Sequence, residues 1–174
     1  MPNYFSKKGF TLTELMAVVI IIAILAGIGF GSYKKSVERS HFTEGLVAGN
    51  TILESAIRYY YDNPDLSDTQ RKRPKMDYLD VGLSNGKTCT ALSDKDYCVK
   101  TKYFEMTVQN WGVQVNRVQG SILKDYYFNL YSGLDGTRQK DVCGARSLAG
   151  ADLCHMMGYT SCSGSSATQI CRKP

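Results

Sequence analysis

From Phe10 to Phe30 the chain reads FTLTELMAVVIIIAILAGIGF, and seventeen consecutive residues from Leu15 to Gly31 carry no charge. As a helix rising about 1.5 Å per residue this stretch reaches roughly 31 Å, enough to cross a bilayer core. No proline occurs between Pro2 and Pro64, so one helix is predicted from about Thr11 to Tyr61. The pattern changes partway along it. Val37, Phe42, Leu46, Leu53, Ile57 and Tyr60 recur at three- to seven-residue steps, with Lys35, Glu38, Arg39, Glu44, Asn50, Glu54 and Arg58 between them. That is a helix with one apolar face, suited to lying on a sheet. A coiled coil fits less well, because the heptad pattern fades after about three repeats. Gly27, Gly29 and Gly31 interrupt the middle, each costing about 1 kcal/mol relative to alanine. They mark either a bend or a place for close helix packing.

Asn63-Pro64-Asp65 ends the helix. Residues 65 to about 98 read as polar and irregular. Strand signals follow: Tyr103 to Gln109 alternates, with Phe104, Met106 and Val108 on one face. Asn110-Trp111-Gly112 reads as a hairpin turn, and Val113, Val115 and Val118 continue a second strand. Tyr126 to Tyr131 makes a third, with Phe128 and Leu130 directed at the helix stripe. Leu134-Asp135-Gly136 signals a turn, and Thr137 to Cys143 is expected as a fourth strand. The class is α+β: a long N-terminal helix on an antiparallel sheet.

Composition changes this picture at two points. The chain has 174 residues, 43% hydrophobic and 21% charged, which excludes disorder and a polytopic membrane protein. Its net charge of +5 is modest for a nucleic-acid binder. The run Arg71 to Lys75 (RKRPK) reads as a solvated loop, because no aromatic residues interleave it. Nucleic acid is therefore the disfavoured partner. All six cysteines lie beyond residue 88, and residues 143 to 174 offer little large apolar material, so disulfides are expected to order that region. Cys89 and Cys98 are expected to close a local loop. Of the other four, Cys143–Cys154 with Cys162–Cys171 is the favoured pairing, and Cys143–Cys162 with Cys154–Cys171 is close behind it. A zinc cluster is disfavoured, since no CxxC pair occurs. Neither His41 nor His155 belongs to a readable catalytic constellation, and the aspartates between residues 62 and 80 do not form a calcium loop.

One residue fits neither a plain membrane anchor nor a secretory signal cut before Ser32. Glu14 places a carboxylate inside the apolar run, at a cost of up to about 3 kcal/mol at mid-membrane, and such residues are functional by default. With its flanks, KKGFTLTELMAVVIIIAIL, it resembles the class III prepilin signal of type IV pilins and type II secretion pseudopilins. Gly9 matches the residue before the cut, Phe10 the residue that is N-methylated, Glu14 the acidic residue five into the mature chain, and Lys7 and Lys8 the basic leader.

The resemblance implies cleavage between Gly9 and Phe10 by a prepilin peptidase that also methylates Phe10. It implies a leader over 1–9, a transmembrane and filament-core half-helix over 10–33, and an extracytoplasmic domain over 34–174 in the type IV pilin fold. It further implies a single-pass precursor in a bacterial inner membrane, its domain in the periplasm, contacting lipid and the pilus assembly machinery before joining an extracellular helical filament. The charges flanking the apolar run are nearly balanced, so outside placement rests on the cysteines and the resemblance. No cofactor and no enzymatic activity are expected. Many type IV pilins have a helix-kinking proline where this chain has Gly31. The alternatives are a secretion pseudopilin, against which the six cysteines and missing calcium loop count, and a minor pilin acting as a tip binding module.

Overall fold

Helix α1 runs from Leu12 to Asp62, one residue beyond the sequence expectation at its C-terminal end. The structure is a computed structural model, and it describes residues 9–82, 87–89, 95–118, 126–134, 139–165 and 168–174. Two compact units divide the chain, Met1–Glu38 and Arg39–Pro174. In the first, every large apolar side chain described between Phe10 and Phe30 is 50% to 82% exposed.

The second unit is built on eight strands in one antiparallel sheet. They are β1 (Lys87–Thr88), β2 (Cys98–Lys100), β3 (Phe104–Gln109), β4 (Gly112–Arg117), β5 (Tyr126–Tyr131), β6 (Val142–Ala145), β7 (Ser161–Ser165) and β8 (Thr168–Arg172). Their order is β1-β2-β3-β4-β5-β6-β8-β7, so only the last hairpin departs from sequence order. The central strands alternate as their sequences require. Phe104, Met106 and Val108 of β3, Val113 and Val115 of β4, and Tyr126, Phe128 and Leu130 of β5 are all buried. Register pairs Met106 with Val115 and Val115 with Phe128, which keeps one apolar face through three strands. Gly112 opens β4 at φ 149°, where a Cβ would run into the Leu130 carbonyl oxygen. The turn after β3 therefore needs glycine there.

The face of α1 that meets this sheet differs from the predicted stripe. Phe42 and Ile52 are fully buried and Leu53 and Ala56 nearly so, whereas Leu46 and Ile57 are only partly buried. Between the buried residues lie Gly45 and Gly49. A Cβ on Gly45 would stand 2.7–2.9 Å from the Phe104 ring, and one on Gly49 would stand 2.7 Å from Val115 and 2.8 Å from Leu130. These two glycines mark the closest approach of helix and sheet, a role that large-residue periodicity cannot reveal. Phe42 caps the contact, its ring centroid 5.2 Å from Phe128 and 5.4 Å from Tyr126.

Two regions carry helices that the sequence pattern does not predict. Helix α2 (Asp68–Lys72) sits in the stretch after α1. It is held by a capping box in which Ser67 accepts from the Gln70 N–H and Gln70 Oε1 accepts from the Ser67 N–H. The RKRPK run thus lies in the end of a helix and a turn, with Pro74 buried. Near the C-terminus, helix α3 (Leu148–Met156) starts at Ser147, whose Oγ accepts from the Gly150 N–H at 3.2 Å. Ala151, Leu153 and Cys154 on α3, with Cys143, Ala145, Tyr159 and Cys171, complete the core. Small residues pack this corner, so a count of large hydrophobics underestimates it. The fourth strand also shifts: Thr137 and Arg138 lie outside the described residues, 139–141 are not strand, and β6 begins at Val142. Asp135 and Gly136 of the expected turn likewise lie outside the described residues. Val118 falls just after β4, although its N–H still donates to the Tyr103 carbonyl at 3.0 Å.

Candidate functional site

The N-terminal end of α1 brings Gly9, Phe10, Thr11 and Glu14 within one turn. Gly9 and Phe10 precede the helix and are exposed, Phe10 at 82%. Lys7 and Lys8 lie outside the described residues. Thr11 is the residue the sequence reading passed over. Its backbone N–H donates to Glu14 Oε2 at 2.8 Å and its hydroxyl donates to the same oxygen at 2.7 Å. The Glu14 N–H approaches Thr11 Oγ1 at 3.3 Å in return. This is a capping box, and its Thr-x-x-Glu spacing was legible once Glu14 was considered as a helix-start residue and not only as an intramembrane charge. The carboxylate also sits where the helix dipole favours negative charge.

Chemically, the arrangement presents an accessible Gly9–Phe10 peptide bond, a helix that begins two residues later, and a carboxylate held about one turn from the Phe10 nitrogen. In the intact chain that nitrogen is an uncharged amide. Cutting the bond would turn it into a cation beside Glu14. Beyond this point the apolar side chains face outward all round, so the helix has far more exposed apolar surface than a soluble monomer tolerates. No single described helix is long and apolar enough to cross a membrane. Leu12–Gly27 and Gly29–Asp62, taken together as a bent pair, pass that test by length and composition. The break between them falls in the glycine-rich stretch.

The six cysteines form three disulfides: Cys89–Cys98, Cys143–Cys154 and Cys162–Cys171. Of the two pairings left open for the last four cysteines, this is the sequence-local one. The first joins the residue after β1 to the start of β2. The second ties β6 to α3, with both residues fully buried. The third bridges directly opposed residues of the β7–β8 hairpin, and Cys171 is also the register partner of Cys143. His155 Nε2 lies 3.3 Å from Cys162 Sγ. Together with Cys171 they lie within metal-ligand reach, but a disulfide sulfur carries no thiolate charge to bind a cation. That cluster is structural.

Comparison with known proteins agrees with the geometry. Residues 5–30 match the family model of the prokaryotic N-terminal methylation motif. The type IV major alpha-pilin of Moraxella bovis is 34% identical over 88 residues, covering 49% of this chain and 52% of that protein. Fimbrial protein Q of Moraxella bovis is 42% identical over 55 residues, covering 30% of this chain and 35% of that protein. A type IV major pilin protein of Neisseria gonorrhoeae is 37% identical over 57 residues, covering 33% and 34%. The chain thus spans about half the length of the first of these relatives and about a third of the others. No solved structure gives a significant match. By its methylation motif, its long helix on an antiparallel sheet and these relatives, the chain is similar to the type IV pilins.

Proposed function

We propose that this chain is the precursor of a pilus subunit, a structural protein that polymerises through its N-terminal helix. The observation that carries this reading is the apolar half of α1, exposed on every side and headed by Gly9-Phe10 and the Thr11–Glu14 box. Such a surface needs lipid before assembly and neighbouring helices afterwards. A prepilin peptidase cuts between Gly9 and Phe10, guided by Lys7 and Lys8 in the leader, and methylates the new Phe10 amine. Before assembly the subunit sits in the inner membrane with its disulfide-bonded domain in the periplasm; afterwards it is part of a filament on the cell surface. Glu14 then pairs with the Phe10 amine of a neighbouring subunit, since a carboxylate removed from water needs a cation close by. That ion pair sets the axial step between helices.

The secretion-pseudopilin reading is disfavoured, because the named relatives are pilins and fimbrial proteins. Mass spectrometry of protein sheared from cells decides the proposal. The expected N-terminus is N-methyl-Phe10 with residues 1–9 gone, and a mature chain starting at Met1 or Ser32 overturns it.

A further inference from the structure

A second site lies in the globular unit, at the C-terminal end of α1, and the filament reading makes no use of it. A cleft of about 490 Å³ opens there between the end of α1, α2, the 3-10 turns Met76–Tyr78 and Lys95–Tyr97, and the β3–β4 turn. That volume falls within the range of small-ligand sites. Its walls are fastened to one another. Tyr59 and Tyr78 stack with ring centroids 6.0 Å apart and planes only 9° apart. Lys75 Nζ is 2.8 Å from Asp96 Oδ2, which ties the two 3-10 turns together. Arg73 Nε donates to the Val108 carbonyl at 2.9 Å while its guanidinium lies 4.2 Å from the centre of the Tyr97 ring. The cleft is therefore preformed, which lowers the entropy cost of filling it.

Its chemistry selects among ligands. Three tyrosines supply flat faces, and Tyr78 is 59% exposed at the mouth. Gln70 and Asn110 supply amides, and the Gln70 carbonyl oxygen is already taken by Ser67, which leaves its NH₂ to donate outward. Two cations line the cleft, and both are engaged: Lys75 pairs with Asp96, and Arg73 donates to the Val108 carbonyl and lies over the Tyr97 ring. A polyanion such as single-stranded DNA gains little from so few cations, because its affinity comes largely from neutralised phosphates. A neutral sugar suits the same surface. Its C–H face lies on an aromatic ring and its hydroxyls bond to fixed amides.

We propose that this cleft binds a neutral oligosaccharide, with one sugar ring laid on Tyr78 and held by the Gln70 and Asn110 amides. The site is independent of filament assembly, so it stands or falls apart from the subunit proposal. The test uses the full chain in a detergent without a sugar headgroup, applied to an array of neutral hexose and N-acetylhexosamine oligosaccharides and titrated with the best of them. The expected result is binding that changes less than twofold between 50 and 300 mM salt (about a Debye-length halving), weakens about tenfold in Tyr78→Ala and is retained in Tyr78→Phe. Tyr127→Ala, opposite Asn116 at the other end of β4 from the Asn110 turn, should leave binding unchanged. Tyr78 is exposed but stacks on Tyr59, so a cooperative melt of its alanine variant shows that lost binding is not unfolding. An array with no bound sugar overturns the proposal. So does equal binding by Tyr78→Ala, or preferential, salt-sensitive binding of an oligothymidine in place of sugar.

Discussion

The two halves of α1 are one secondary-structure element under opposite physical demands. Between Leu12 and Phe30 the large apolar side chains described are half or more exposed. Between Phe42 and Ala56 one face is buried against the sheet, with glycine wherever the sheet comes closest. On the proposed reading the first half needs only hydrophobicity and length at most positions, because lipid and then neighbouring helices would surround it. The second half is specified atom by atom, because a packed interior has no room for an added methyl group. A glycine has a different meaning in each half. Nothing lies within 4 Å of where a Cβ on Gly31 would be, whereas Gly49 is hemmed in by two buried side chains.

Mutations can break this contrast, and the largest effect is expected in the exposed apolar half. Glu14→Val should leave cleavage and the fold of the globular unit intact but reduce filament yield by at least tenfold when it is the sole copy. Wild-type yields of sheared filament from such cells would show that the carboxylate does not set the helix register. Next comes the corner that small residues fill. Replacing both Cys143 and Cys154 with serine should cost about 2–4 kcal/mol, since the bridge joins two fully buried positions. Losing Cys162–Cys171 should cost less, because a hydrogen-bonded hairpin already holds its ends together. Denaturant melts of the two double variants rank them, and an equal or reversed order contradicts the argument.

The glycines give a smaller and more pointed comparison. Gly49→Ala gains about 1 kcal/mol of helix propensity but meets an overpacking cost of about 1–3 kcal/mol, so the net change should be destabilising. Gly31→Ala meets no such cost and should firm the helix by about 1 kcal/mol. A lower melting temperature for the first, and slower amide exchange around residue 31 for the second, are the expected readings. Stabilisation by Gly49→Ala would mean that helix and sheet are not in tight contact there.

The smallest effect concerns Asp80. The Ser55 hydroxyl, and then Arg58 at 2.8 and 2.9 Å from its two oxygens, hold its carboxyl below the ordinary value of 3.8. A depressed folded value means the contribution is fully present above the ordinary value and disappears as pH falls through the folded one. The melting-temperature gap between wild type and Asp80→Asn should therefore be small near neutral pH and close as pH drops below about 4. Both partners are largely exposed, so screening keeps the effect slight. A gap that widens with acid would reverse the sign of the assignment.

Much of the molecule was legible before any coordinates. The cores of β3 to β5 follow from periodicity, because they bury large residues at a regular spacing, while the end of α1 and the turn before Gly112 follow from Asn-Pro-Asp and Asn-Trp-Gly signals. Where order comes from something else, the pattern fails. Helix α2 rests on one capping box in a polar stretch, and α3 packs Ala and Cys in a region that offers few large apolar residues to read. The short edge strands and the β7–β8 hairpin carry polar or small residues, and β7 is exposed throughout. The proposed processing end is legible for the opposite reason: Gly9, Phe10 and Glu14 are local in sequence, so their motif needs no folding to be recognised.

The sequence by itself determined that a charge-free helix continues into an amphipathic one, that a carboxylate lies one turn from Phe10, and that the cysteines lie in the C-terminal half. Those are properties of neighbours along the chain. Tertiary structure alone decided that Gly45 and Gly49 are where helix meets sheet, and which of two cysteine pairings forms. It also decided that Tyr59, Tyr78, Tyr97 and Asn110 line one cleft. Each depends on distances between residues far apart in sequence, and those distances exist only once strand register and helix placement are fixed together.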